Sequence, residues 1–195
     1  LLDTQGPEIR TGDTSQVVDL EPGQLVSFTI RDEIDVETTS IRVNYDELIE
    51  SVKVGTLITL DNGLLNFKVL KKTENELECR VLDGGKLGSK RHVNLPGIRI
   101  NLPSITEKDK VDISFGLKQD VDFIALSFVR DLSDISDLER LIKRQRKKVK
   151  IISKIEDREG LSNISDICSA SDAVMVARGD LGIETDLSNL PNIQR

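Results

Sequence analysis

The stretch that decides the fold is IISKIEDREG, residues 151–160. Its first half has the apolar run of a buried strand, yet Lys154 and Glu156 stand where that run ends. Side chains alternate across a strand, so two residues spaced by two point to the same side. One cation and one anion are therefore aimed into one place. Burying them costs several kcal/mol unless each finds a partner, which leaves two readings open, a paired ion bridge or an active site.

Outward from this strand, the pattern on both sides is α/β. VDFIALSF, residues 121–128, reads as a buried strand, and residues 133–147 carry Ile135, Leu138, Leu141 and Ile142 at helical spacing. KIISKI is then a strand, residues 161–168 a short helix and residues 173–177 a strand again. Strands alternating with helices in steps of about 25 residues imply parallel βα units. Residues 13–97 differ: short β-prone runs are broken by Glu21-Pro22-Gly23, Asp61-Asn62-Gly63 and Thr73-Glu74-Asn75-Glu76. Such breaks are hairpin signals, and they predict a small antiparallel barrel or sandwich. The expected organisation is α/β over residues 1–12 and 98–195, with residues 13–97 as an inserted β domain.

Composition limits the function. The 195 residues are 37% hydrophobic and 31% charged, enough for a real core, and a net charge of -7 argues against a nucleic-acid partner. The basic run at residues 143–150 sits at an expected helix end, where cations complement the dipole. Aromatics at 3% leave few platforms for stacking bases. No run approaches the roughly 20 apolar residues of a membrane span. Cys79 and Cys168 share no metal-type spacing, so a reducing compartment is expected. The chain begins LLDTQGPEIR without methionine and stops at NIQR, and it reads as a piece of something longer.

In parallel βα architectures the working residues gather at the carboxyl ends of the strands. That rule selects Asp3 and Thr4 followed by Glu8 and Arg10, then Ser127 and Arg130, then Lys154 and Glu156, then Ala177, Arg178, Gly179 and Asp180. Glu156 and Asp180, from neighbouring strand ends, suit a hard divalent cation such as magnesium. With a lysine on the same face, the set describes a site for a phosphorylated or enolate-like anion. The small residues of Ala177-Arg178-Gly179-Asp180-Leu181-Gly182 either let backbone N–H groups approach an anion or form an ordinary tight turn. The glycine-rich basic segment at residues 84–91 lacks the spacing of a Walker loop and reads as a hairpin loop. His92, the only histidine, has no metal or triad partner at a recognisable spacing.

DTQGPEIRTG, LGSKRHVNLPG, NLPSITEKD, QDVDFIALSFVR, IISKIEDREG and MVARGDLGIE occur in the order found in the pyruvate kinase family, which the whole chain resembles. The resemblance implies part of a (β/α)8 barrel interrupted by a β domain, and phosphoryl transfer between phosphoenolpyruvate and ADP giving pyruvate and ATP. It implies Mg2+ or Mn2+ held by positions matching Glu156 and Asp180, and K+ by those matching Asp3 and Thr4. Lys154 matches the lysine beside the transferring phosphoryl group, and the backbone of Ala177 to Asp180 matches the groups that receive the substrate carboxylate. Arg10, and less securely Arg91, match nucleotide contacts, because Arg91 puts a planar fork where many relatives carry lysine. Gln5 also replaces a lysine common among relatives. Glu8 looks like the potassium-dependent type.

The resemblance further implies a cytoplasmic homotetramer with no membrane partner, and places some of the family's site residues outside these 195 positions. The polypeptide on its own is then expected to be inactive. Two other readings are a magnesium-dependent barrel lyase acting on pyruvate-like enolates, and a truncated folding or binding module without turnover.

Overall fold

Leu2 and Asp3 form a short strand, β1 (Leu2–Asp3), whose partner lies far along the chain: they align in parallel with Ile124 and Ala125. The computed structural model describes residues 1–30, 39–185 and 187–195. These fall into two units, one made of Leu1–Pro7 and Leu102–Arg195, the other of Glu8–Asn101.

Among its described residues, the second unit is β apart from one turn of helix. Its strands are β2 (Val18–Leu20), β3 (Leu25–Thr29), β4 (Thr39–Arg42), β5 (Leu57–Leu60), β6 (Leu65–Lys72), β7 (Glu76–Asp83), β8 (Gly85–Leu87) and β9 (Val93–Asn94), with α1 (Leu48–Ser51) before β5. One sheet runs β4-β3-β7-β6-β5-β9 and β2 pairs with β8. Every pair is antiparallel except β3 with β4. Alternation explains the core: Leu65, Phe67 and Val69 are buried along β6, and Leu77, Cys79 and Val81 along β7. Phe28 meets Phe67 edge to face at 5.1 Å between ring centres.

Residues 8–12, expected with the α/β part, belong to this β unit. Arg10 bridges His92 and Thr11 bridges Val43, so their backbone hydrogen bonds are spent there. Asn101 is held likewise, its N–H donating to the Tyr45 hydroxyl and its amide to Glu47.

The first unit continues from β1 to α2 (Glu107–Lys118), β10 (Phe123–Leu126), α3 (Leu132–Arg144), β11 (Lys150–Ile155), α4 (Arg158–Ser162), α5 (Ile164–Ala170), β12 (Ala173–Val176), α6 (Arg178–Glu184) and α7 (Leu190–Ile193). The sheet order is β1-β10-β11-β12, all parallel, which is the arrangement of a partial (β/α)8 barrel. Ile113 and Leu117 of α2, Ile135, Leu138 and Ile142 of α3, and Ile167 of α5 bury against Ile124, Leu126, Ile151 and Ile155 of the strands. The helix expected to reach residue 147 stops at Arg144, because Arg146 turns left-handed at φ 54°.

Candidate active site

Alternation along β11 settles which side chains face the helices. Ile151 and Ile155 lie in the core shared with the helices, so Ile152 and Lys154 face the other way. Register extends that face across the sheet. Asp3 aligns with Ala125 and Ala125 with Ile152, and aligned residues of parallel strands point to the same side. Ser127 and Lys154, each two residues further on, follow. Side chains from three strand ends thus converge at the carboxyl end of the sheet.

The convergence is tight at Lys154. Its Nζ lies 2.8 Å from Ser127 Oγ, 3.1 Å from Glu156 Oε1 and 3.2 Å from Asp3 Oδ1. An ammonium has three N–H groups, and here each has an acceptor. Burial pulls the lysine pKa down, but the charges and hydrogen bonds of Glu156 and Asp3 outweigh it, and the net shift is upward. Lys154 is therefore a fixed cation rather than a base.

Glu156 is only 2% exposed. Burial lifts its carboxyl above the ordinary range; Lys154 and the Phe128 N–H oppose the rise, while the charge of Asp180 adds to it. Phe128 donates to Glu156 Oε2 at 2.7 Å. It does so from a left-handed backbone, φ 52°, a conformation that costs of order 1 kcal/mol or more for a residue with a bulky side chain. Each Glu156 oxygen has one partner from these contacts and a second lone-pair direction beyond it. The charges of two carboxylates, Glu156 and Asp180, reach one another, and such a pair of hard oxygen ligands could hold a divalent cation that would offset their charge. No group of three or more His, Cys, Asp or Glu is assembled for a metal among the described residues.

Ser127, selected by its place at a strand end but without a partner, and Asp109, which sequence reasoning missed, hold this face together. Ser127 donates its hydroxyl to the Thr4 carbonyl at 2.7 Å and its N–H to Thr4 Oγ1 at 2.9 Å. Asp109, fully buried at the start of α2, accepts the N–H groups of Gln5, Gly6 and Thr106. The Thr106-Glu107-Lys108-Asp109 spacing signals a capping box, and the structure contains one, but the same carboxylate also fastens the turn after β1. Gly6 makes that turn possible: its φ is 73° and a Cβ there would lie 2.8 Å from the Phe128 ring.

The remaining expected residues divide between the units. Ala177 precedes α6, which carries Arg178, Gly179 and Asp180 in its first turn at the end of β12. Arg10 and Arg91 lie in the β unit, where Arg10 binds Glu8 at 2.6 Å and the Lys90 carbonyl at 2.8 Å. Arg91 reaches Asp61 at 3.3 Å, and its Nε is buried without a hydrogen-bond partner. At the opposite ends of β10 and β11 lies a groove of about 830 Å3 lined by Lys147, Lys148, Asp120 and Asp172 among others. Some of its charges are already paired, Lys147 with Asp120 and Lys143 with Glu139.

The profile of the family described as "Pyruvate kinase, barrel domain" matches residues 1–195, the whole chain. The chain belongs to the pyruvate kinase family. It is 44% identical over 195 residues to plastidial pyruvate kinase 2 of Arabidopsis thaliana, covering 100% of this chain and 33% of that protein. It is 42% identical over 198 residues to pyruvate kinase of Staphylococcus aureus strain USA300, covering 100% of this chain and 34% of the relative. The chain thus spans about a third of the length of these pyruvate kinases. The barrel-lyase reading finds no support among them.

Proposed function

We propose that this chain supplies the anion-holding face of an enzyme that transfers a phosphoryl group between phosphoenolpyruvate and ADP, giving pyruvate and ATP. The observation that carries the reading is the Lys154 ammonium, fixed by Ser127, Glu156 and Asp3 at the ends of adjacent parallel strands. Phosphoryl transfer needs positioning and charge neutralisation more than covalent chemistry. Lys154, kept protonated, would pair with the transferring group and then with the enolate oxygen left behind. The low exposure of Glu156 and Ser127 keeps water from the inner side of that cation.

Glu156 and Asp180 are the proposed holders of Mg2+ or Mn2+, and the ion, when bound, would neutralise phosphoryl and enolate oxygens. Asp3 and Thr4 are the proposed holders of K+: Asp3 is 55% exposed, and the Thr4 carbonyl keeps a second lone pair beside its Ser127 bond. The backbone of Ala177 to Asp180 is proposed for the substrate carboxylate, and Arg10 with Arg91 for nucleotide phosphates. The proposed compartment is the cytoplasm, supported by two free cysteines, Cys79 and Cys168. A homotetramer is the proposed assembly. No helix among the described residues is long and apolar enough to cross a membrane.

The test is pyruvate formation from phosphoenolpyruvate and ADP by the complete protein that carries this sequence. ADP-dependent pyruvate is expected, with a loss of at least about a hundredfold in Lys154→Met. Aldol cleavage without nucleotide, or a Lys154→Met enzyme of undiminished rate, would overturn the reading.

A further inference from the structure

We propose that Ser127 is a positioning residue for Lys154, acting as a neutral acceptor that aims the ammonium; this rests on the catalytic reading of Lys154 given above. The direction of every bond is forced. An ammonium only donates, so Ser127 Oγ accepts from Lys154 at 2.8 Å. A carbonyl only accepts, so the single Ser127 proton goes to Thr4 O at 2.7 Å. The Ser127 hydroxyl is left with no rotational freedom, and its lone pairs face the lysine. The Ser127 N–H, bonded to Thr4 Oγ1 at 2.9 Å, fixes the backbone beneath it.

Charge explains why a hydroxyl stands there. Glu156 and Asp3 already place two carboxylates on one ammonium, and the charge of Asp180 reaches Glu156. A third acid on Lys154 would repel an anionic substrate, whereas a hydroxyl completes the tripod without adding negative charge. Exposure decides which contacts persist when substrate arrives. Asp3 is 55% exposed, against 2% for Glu156 and 1% for Ser127, so the two buried acceptors keep the ammonium on line as the outer one yields.

The experiment compares Ser127→Ala and Ser127→Thr with the wild type in the complete protein, by acetylation footprinting of lysines with mass spectrometry and by steady-state kinetics. In Ser127→Ala, acetylation of Lys154 is expected to rise several-fold while Lys147, held by Asp120 in the same unit, reacts as before. Losing one hydrogen bond to a charged group should lower kcat roughly tenfold, with KM for ADP little changed. Ser127→Thr, which keeps the hydroxyl, should return both values toward wild type. If Ser127→Ala does not fold, Ser127→Cys preserves the volume with a poor acceptor and should show the same two effects. Unchanged Lys154 reactivity in a folded variant, or an equal rise at Lys147, would overturn the proposal. A complete protein without phosphoryl transfer would sink the proposed function, yet the footprint would still decide whether Ser127 holds Lys154.

Discussion

Lys154 and Glu156 stand two residues apart on one strand end, with Nζ 3.1 Å from Oε1, while the other oxygen of Glu156 takes the Phe128 N–H at 2.7 Å. The pair is thus tied into the neighbouring strand's turn as well as to itself. A carboxylate this buried holds its position but is driven toward protonation by burial and by Asp180.

That drive predicts how the proposed binding of Mn2+ at Glu156 depends on pH. A raised carboxyl keeps its proton to higher pH than usual, so an ion must displace that proton. Mn2+ affinity, read by electron paramagnetic resonance, is expected to fall as pH drops from neutral toward the ordinary glutamate value, with protons released on saturation. Glu156→Gln should weaken Mn2+ binding by about tenfold or more and flatten the pH dependence.

Lys154 titrates the other way. Its folded pKa lies above the ordinary 10.5, so the folded state binds the proton more tightly than the unfolded chain does. The stability it contributes is whole below 10.5 and is lost as pH rises through the higher folded value. Lys154→Met should destabilise by on the order of 3 kcal/mol at pH 8, since a buried carboxylate loses its cation. Urea midpoints should show that gap narrowing only above the ordinary lysine range.

Asp109 gives a prediction about the turn after β1. Its carboxylate accepts three backbone N–H groups and the Thr106 hydroxyl, and is 0% exposed. An asparagine has one accepting oxygen and would turn an NH2 toward donors. Asp109→Asn is expected to cost about 3 kcal/mol in a urea melt, with faster hydrogen exchange at Gln5 and Gly6.

The same strand-end region also tolerates little added volume. A Cβ at Gly160 would lie 2.4 Å from the Val129 carbonyl, so Gly160→Ala should destabilise by about 1–3 kcal/mol. Gly179, with nothing within 4 Å of its own Cβ position, should accept alanine at far smaller cost in the same melt.

Thiol chemistry separates the two cysteines. Burial, helped by the charge of Glu78, pushes the Cys79 thiol up to about 12, whereas Cys168 is exposed. Iodoacetamide at neutral pH should label Cys168 in the folded protein and Cys79 only after unfolding.

Much of this was legible in the sequence because period and punctuation carry it. KIISKI is β11 to the residue, and the runs around Leu25, Leu57, Leu65 and Leu77 are all strands. The alternation that pairs Lys154 with Glu156 needs only the period of two. What escaped depends on partners distant in sequence. Ser127 gains its meaning from Thr4, and Asp109 from Gln5 and Gly6, contacts that no local pattern encodes. The unit boundary before Glu8 was hidden for the same reason, since Arg10 and Thr11 are claimed by His92 and Val43.

The most direct measurement is an anomalous-scattering map from crystals of the complete protein grown with Mn2+ and a phosphoenolpyruvate analogue. The expected result is a manganese peak between the carboxylates of Glu156 and Asp180, with the Lys154 ammonium in hydrogen-bond reach of the bound anion. Manganese elsewhere with those two carboxylates bare, or an anion bound out of reach of Lys154, would contradict the site described.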